Sequence, residues 1–431
     1  MAEPLRLGIA GLGTVGGGVI KIIQAHADAL ESRAGRGLEI TAVSARDASK
    51  DRGVDLSSYD WVDNALDLAS RDDVDVVVEM IGGSEGLAKD LVEEALKNGK
   101  HVVTANKALL AHHGFALAQM AEENGVSLAY EAAVAGGIPV IKAVREGFAG
   151  NDVSAVYGIL NGTCNYILSQ MYENGGDFEV ILKEAQDLGY AEADPSFDVD
   201  GIDAAHKICL LASIAFGVKP DFDALKVSGI SAVSSADITF AEEFGYRIKL
   251  LGIAKRLEGK ALQVVEPCLV PELSKIGNVE DVFNAVMVEG DFVDSSLLIG
   301  RGAGEGPTAS SVLSDIVDIA RGINVPVFGV PASALQDAQW VNPEGMQGRY
   351  YVRLNVLDHE GVLADVTGIL RDSEVSIEST LQRGATADQP VHLAFITHET
   401  SGANISKACK EIQKLEANID EPCLIRVEGL E

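Results

Sequence analysis

Apolar positions along the first 130 or so residues follow two different rhythms. "LRLGIAG" and "VDVVVEMIGG" are continuous apolar runs, the pattern of parallel strands buried on both faces. "VGGGVIKIIQAHADALES", "LAKDLVEEALKNG" and "LLAHHGFALAQMAEENG" instead repeat at helical spacing, and the last two close on Asn-Gly. "LEITAVSA" and "KHVVTAN" add further β-rich stretches. This β-α-β-α order predicts a Rossmann-type doubly wound α/β domain over residues 1–134.

From 135 to 325 the character changes. Helical patterns ("CNYILSQMYENGG", "FEVILKEAQDLG", "IDAAHKICLLASIAFG") mix with strands such as "DVSAVYGIL" and "LQVVEPCLV", which predicts a second, α+β domain. Residues 326–349 hold three prolines and several turn residues and read as a linker. From Tyr350 to the end, at 350–431, the pattern is β-α-β-β-α-β, the ferredoxin-like arrangement.

Bulk properties narrow the function. A chain of 431 residues is too long for one ordinary core, and 47% hydrophobic content excludes a largely disordered one. The net charge of −31 argues against nucleic acid or an anionic membrane as partner, because either would be repelled. Five scattered cysteines (164, 209, 268, 409 and 423) form no CxxC pair, so neither a disulfide framework nor a zinc site is expected. "MAEPLRLGIAG" lacks a signal-peptide layout and no apolar run reaches spanning length. A cytoplasmic location is the expectation.

Two stretches carry chemistry. Gly11, Gly13 and Gly16 form G-x-G-x-x-G between a strand and a helix, the context in which the motif holds a pyrophosphate against free N–H groups. The second strand ends in "ARDASK", where Arg46 and Lys50 favour NADP and Asp47 keeps NAD open. In "DPSFDVDGIDAAHK", Asp203 and Lys207 stand four apart and share a helix face. On a surface that pair would mean little. The apolar circumference that follows (Leu210, Leu211, Ile214; Ala205, Cys209, Ala212, Phe216) makes the helix a buried one. A buried lysine beside a carboxylate can donate or accept a proton near neutrality, as interconversion of a carbonyl and an alcohol requires. Glu192, Asp194, Asp198 and Asp200 suit a substrate carrying an amine. Cys164 and His206 read as packing residues.

"GLGTVG" at 11–16, "TANK" at 104–107, "YEAAVAGGIP" at 130–139, "NGTCNYIL" at 161–168, "GYAEADPSFDVDGIDAAHK" at 189–207 and "GAGEGPTASSV" at 302–312 occur together and in order. The chain thereby resembles the homoserine dehydrogenase family, in its form with a C-terminal ACT domain. The resemblance implies NAD(P)-dependent interconversion of L-homoserine and L-aspartate 4-semialdehyde, in threonine, methionine and isoleucine biosynthesis. It places Lys207 as general acid/base, Asp203 as the acid that positions substrate and water, and Lys107 near substrate and nicotinamide with a share in the proton chemistry. Glu192 would contact the substrate amine, with Asp198 in the same acidic segment and Gly189 lining the substrate. Thr14, Val15, Arg46 and Gly304 fall at cofactor contacts. Glu131, Val134, Gly136 and Ile138 align with a monovalent-cation site, sodium being expected. The tail "VLDHEGVLADVTGILRDSEVSIES" resembles the ACT signature, with a polar turn at 358–361, and implies threonine as effector and a homodimer or homotetramer.

Overall fold

A computed structural model of the chain describes residues 3–357, 360–383 and 390–430. Asp358 and His359, in the expected polar turn, lie outside these.

The apolar runs of the first region pair as a six-stranded parallel sheet. Its order is Asp60–Trp61, Leu38–Ser44, Leu5–Ala10, Val76–Glu79, His101–Thr104, Leu128–Ala129. In sequence terms this is 3-2-1-4-5-6, the Rossmann order, and the order in which strands are added reverses between the parallel neighbours Leu5–Ala10 and Val76–Glu79. Helices Thr14–Ala34, Leu87–Lys97 and Lys107–Glu123 connect the strands. The apolar run that reads as one long strand from Val74 is cut to Val76–Glu79. Its end is set by Glu79, whose carboxylate accepts N–H bonds from Ile81 and Gly82 at 2.6 and 2.9 Å and turns the chain away.

Helix Glu305–Ala320, late in the sequence, returns to this sheet. Its Val312, Leu313 and Ile316 are buried in one cluster with Leu7, Ile9, Val19, Ile20 and Val78. A Cβ on Gly18 would stand 3.1 Å from that of Ala309, so the absence of a side chain lets helix Thr14–Ala34 lie close against the returning helix.

A second, mostly antiparallel sheet runs Asp294–Arg301, Phe283–Gly290, Val153–Ile159, Tyr246–Leu257, Lys260–Pro271, Cys423–Val427, Gln347–Leu357, Pro390–Thr397, Ile377–Arg383. The C-terminal region thus contributes its four longer strands in the order last, first, third, second. It joins the rest because Cys423–Val427 pairs in parallel with Lys260–Pro271. The expected helices occur at Val362–Asp372 and Gly402–Ile412. Residues 326–349 pack down: Phe328 is buried, and the Tyr130 hydroxyl donates to the Val327 carbonyl at 2.8 Å.

Helix Ile202–Phe216 lies on the second sheet, every residue from Asp203 to Ile214 buried. A Cβ on Gly252 would sit 3.0 Å from that of Ile208, which shows how near the helix approaches. The C-terminal strands are also held by a buried ion pair. Asp237, in a capping box with Ser234, accepts from Arg353 Nε at 2.7 Å and from the Tyr351 hydroxyl at 2.9 Å. Asp237 is fully buried and Arg353 nearly so. Removing one member would strand the other charge, so Asp237→Ala should cost about 3–5 kcal/mol in chemical denaturation. A loss below about 1 kcal/mol would show the pair to be dispensable.

Candidate active site

A cleft of about 780 Å³ opens between the parallel sheet and the second one. Three segments bring charged and polar side chains together in it. Helix Ile202–Phe216 starts after Gly201, in the left-handed region at φ 85°, and presents Asp203 and Lys207 one turn apart. The Lys207 ammonium donates to Asp203 Oδ2 at 2.7 Å and to the Leu160 carbonyl at 2.6 Å. From the opposite wall Lys107, first residue of its helix, places Nζ 3.1 Å from Asp203 Oδ1. Asn161, the N-cap of helix Gly162–Asn174, donates to Asp198 at 2.7 Å and to Asp203 at 2.8 Å.

These contacts set the protonation states. Burial alone would raise the Asp203 carboxyl, but the charges of Lys207 and Lys107 outweigh it and hold the group well below the usual carboxylate range. Burial pulls the Lys207 amine below its ordinary value; Asp203 opposes this, and Lys107 adds to the lowering. Two ammoniums share one close carboxylate, so one amine is the easier to deprotonate. Asp198 is raised by burial and by Asp203, against its bond from Asn161.

Lys107 is aimed by a chain of side chains that the sequence did not advertise. Buried Glu79 accepts from the Thr104 hydroxyl at 2.6 Å, Thr104 accepts from the Asn106 N–H at 2.9 Å, and Asn106 caps the helix that Lys107 opens. Phe197 lines the cleft beneath Lys107, whose Nζ is 5.5 Å from the ring centroid.

Glu192, Asp198, Gly189, Thr14, Val15, Lys107 and Gly304 all line the cleft, as does Gly136. The glycine turn sits at the mouth of the parallel sheet's crevice. Gly11 has φ 95°, and a Cβ on it would meet the Met80 carbonyl at 2.4 Å; one on Gly16 would meet the Gly11 carbonyl at 2.0 Å. Gly13 faces open space and caps helix Thr14–Ala34 without a side-chain bond, leaving first-turn N–H groups for an anion. That cradle fits a dinucleotide's pyrophosphate. Arg46 is exposed just past the second strand and is not part of the cleft lining. Arg52 fastens the loop after it, donating to carbonyls of Leu12 and Lys50 at 3.2 and 2.6 Å.

The family assignment follows from comparison. A homoserine dehydrogenase profile matches residues 139–317, and a homoserine dehydrogenase NAD-binding domain profile matches residues 11–131. The homoserine dehydrogenase of Pseudomonas aeruginosa is 46% identical, with 99% of this chain and 100% of that one covered. The Bacillus subtilis homoserine dehydrogenase is 40% identical, with 99% of each chain covered. The crystal structure of a homoserine dehydrogenase from Thiobacillus denitrificans superposes over 100% of both chains with a TM-score of 0.94 at 42% identity. The chain belongs to the homoserine dehydrogenase family. It is an oxidoreductase with an NAD-binding domain and a catalytic domain.

Within this homoserine dehydrogenase the other candidates are accounted for. Cys164 is buried, its thiol pushed up by burial, and it donates to the Asp198 carbonyl at 3.2 Å, so it is no nucleophile. Glu131 is buried; its oxygens accept from the N–H groups of Ile141 and Lys142 at 2.8 and 2.9 Å. Burial and then Asp315 push it up to about 7. Val134 and Ile138 are buried beside it, and Gly136 accepts from the Ser311 hydroxyl at 2.6 Å. Among the described residues no helix is long and apolar enough to cross a membrane, and all five cysteines are free.

His206 lies outside the chemistry, stacked between Phe222 and Phe197 at 4.3 and 5.8 Å, its Nδ1 bonded to the Ile202 carbonyl. Burial, then His112, lowers it to about 4. A base depressed in the folded state contributes its full stability above its ordinary value near 6.5 and loses it as pH falls toward 4. The loss amounts to about 3 kcal/mol. Stability curves from pH 7 to 4.5 should therefore be flatter for His206→Phe than for the parent; parallel curves would refute the assignment.

Proposed function

We propose that Lys207 is the general acid/base of the homoserine–semialdehyde interconversion, and that Asp203 and Lys107 set its proton affinity and place the substrate. The observation that carries this is the Lys207–Asp203–Lys107 cluster, with Lys207 and Asp203 buried and Lys107 half-buried, in the cleft that the glycine turn also borders. Bound NAD(P) supplies the hydride in reduction and accepts it in oxidation. Lys207 Nζ gives a proton to the aldehyde oxygen as the alcohol forms, and takes one back in the reverse direction. Glu192 and Asp198 hold the substrate ammonium, Gly189 keeps the backbone close at φ 78°, and Gly304 opens the helix beside the cofactor. Exposed Arg46 favours NADP over NAD through the 2′-phosphate.

A monovalent cation, sodium by preference, fits at Glu131 with the carbonyls of Val134, Gly136 and Ile138. The donors are hard oxygens, and the two buried carboxylates there, Glu131 and Asp315, have Lys142 3.1 Å from Asp315, with Arg145 as a more distant cation. The cation would stabilise the charged form of Glu131 and the turn at Ala135 and Gly136, both at positive φ.

The domain division we favour is 1–134, 135–325, a linker at 326–349 and an ACT domain at 350–431, with helix Glu305–Ala320 packed on the first unit. Threonine is the effector we assign to the C-terminal domain, in a cytoplasmic homodimer or homotetramer serving amino-acid biosynthesis. The strand order of the C-terminal region supports the ACT reading.

Nicotinamide absorbance, followed with homoserine for oxidation and with the semialdehyde for reduction and its pH profile, tests the chemistry. Lys207→Ala should lower kcat by about 10²–10⁴ while leaving cofactor affinity nearly intact; parental activity would reject the role. Reduction needs the protonated amine, so it is lost as pH rises through the Lys207 pKa. Asp203→Asn removes the carboxylate that holds the proton on, and the alkaline limb of the kcat profile should move about 1–3 pH units lower. A limb that stays put, or moves up, would mean Asp203 does not tune the amine. Threonine at millimolar concentration should lower kcat or raise the homoserine KM in the full chain. Unchanged kinetics would remove the regulatory reading.

A further inference from the structure

Asn284 stands at the inner end of the cleft, on strand Phe283–Gly290, and lines it. Only 1% of the residue is exposed, yet among the described residues neither Nδ2 nor Oδ1 has a hydrogen-bond partner. A buried carboxamide left unpaired on both sides is costly, and its surroundings show that it is held in place. A Cβ on Gly302 would fall 2.1 Å from the Asn284 Cγ, so the flat amide rests on the Gly302 backbone. On the other side a Cβ on Gly162 would stand 3.5 Å from Oδ1. The amide is therefore wedged between Gly302 and the first residue of helix Gly162–Asn174.

That helix start has donors to spare. The Asn161 side chain caps only the Cys164 N–H, at 2.8 Å, and the N–H groups of Gly162 and Thr163 make no backbone bond. Two free first-turn N–H groups and an unpaired amide side by side favour an anion. Homoserine and its semialdehyde have three polar groups. On the functional reading above, on which this inference rests, the ammonium faces Glu192 and Asp198 and the reacting oxygen faces Lys207. The α-carboxylate remains; Glu192 and Asp198 repel it, which directs it toward the paired strands that carry Asn284 and Arg301, both lining the cleft.

We propose that Asn284 is a substrate-binding residue whose carboxamide, turned so that Nδ2 replaces Oδ1 on the Gly162 side, donates to the α-carboxylate together with the N–H groups of Gly162 and Thr163. Engagement satisfies the orphaned amide only when substrate is present, so its desolvation cost is relieved in the complex. The same contact selects α-amino acids over simple amino alcohols.

The test combines two variants with two unreactive ligands, L-2-aminobutyrate, which keeps the carboxylate, and propylamine, which lacks it. Asn284→Ala should raise the homoserine KM and the 2-aminobutyrate Ki by about 10–100-fold, the range for a hydrogen bond to a charged group. The propylamine Ki and the NADP KM should stay within about twofold. Asn284→Asp has the same shape and a like charge, so it should bind homoserine and 2-aminobutyrate more weakly than Asn284→Ala does. Equal weakening of propylamine and 2-aminobutyrate would overturn the proposal in favour of a packing role. So would an unchanged homoserine KM, or tighter binding by Asn284→Asp than by Asn284→Ala. A parent protein that oxidised no homoserine would instead remove the functional reading itself, which separates the two failures.

Discussion

One buried carboxylate governs the geometry of this enzyme. Asp203 has an ammonium at each oxygen, Lys207 from its own helix and Lys107 from the nucleotide-binding unit. The second contact spans the cleft, so the same charge that holds Lys207 also ties the nucleotide-binding unit to the unit that carries helix Ile202–Phe216. Breaking a buried pair leaves an uncompensated charge, and such a loss exceeds what the pair itself contributes. The local sequence is arranged accordingly. Gly201 supplies the left-handed residue that starts the helix, Asn161 gives the carboxylate a third partner, and the Leu160 carbonyl accepts the other Lys207 proton.

Close backbone approach does the rest of the positioning. The walls of the cleft come from segments far apart in sequence, brought together where side chains are absent. Gly11 touches the Met80 carbonyl, and Gly136 lies so near the Gly302 carbonyl that a Cβ would come within 2.4 Å. Gly302 in turn carries the Asn284 amide. This stacking makes the glycine-rich "YEAAVAGGIP" and "GAGEGPT" parts of one wall, although 165 positions or so separate them in the chain.

How much of this could be read in advance depended on whether the signal was local. The parallel sheet was legible because apolar runs such as Val76–Val78 are buried on both faces and the glycine turn follows a strand. The Asp203–Lys207 pair was legible because helical spacing and an apolar circumference lie in one segment. Lys107 came only through the resemblance; nothing near "TANK" says that its ammonium will reach Asp203. The Glu79–Thr104–Asn106 relay was hidden for the same reason, since it spans two neighbouring strands and a cap. Asn161 had a usable sign, an Asn three residues ahead of the N–H it caps. Asn284 had none: a polar residue in a strand announces neither its burial nor its lack of partners. Helix Glu305–Ala320 was not among the helical patterns read from the sequence, where only "GAGEGPTASSV" entered through the resemblance, and its return to the first sheet required the long-range fit at Gly18.

The C-terminal region is bound into the catalytic unit more deeply than a linker alone would bind it. Its last strand is an internal strand of the large sheet, pairing with Lys260–Pro271 on one side and Gln347–Leu357 on the other. Ion pairs Arg426–Glu266 at 2.8 Å and Arg353–Asp237 at 2.7 Å reinforce the seam. Two strands away, on the same sheet, Tyr246–Leu257 supports the helix that carries Lys207. A ligand at the C-terminal strands can influence the amine only by favouring one of two arrangements of this shared sheet, because a rigid connection with a single arrangement transmits no free energy. The close contact of Gly252 with Ile208 is where such a shift would register first: with no side chain between strand and helix, a displacement of the strand is passed to the residue next to Lys207.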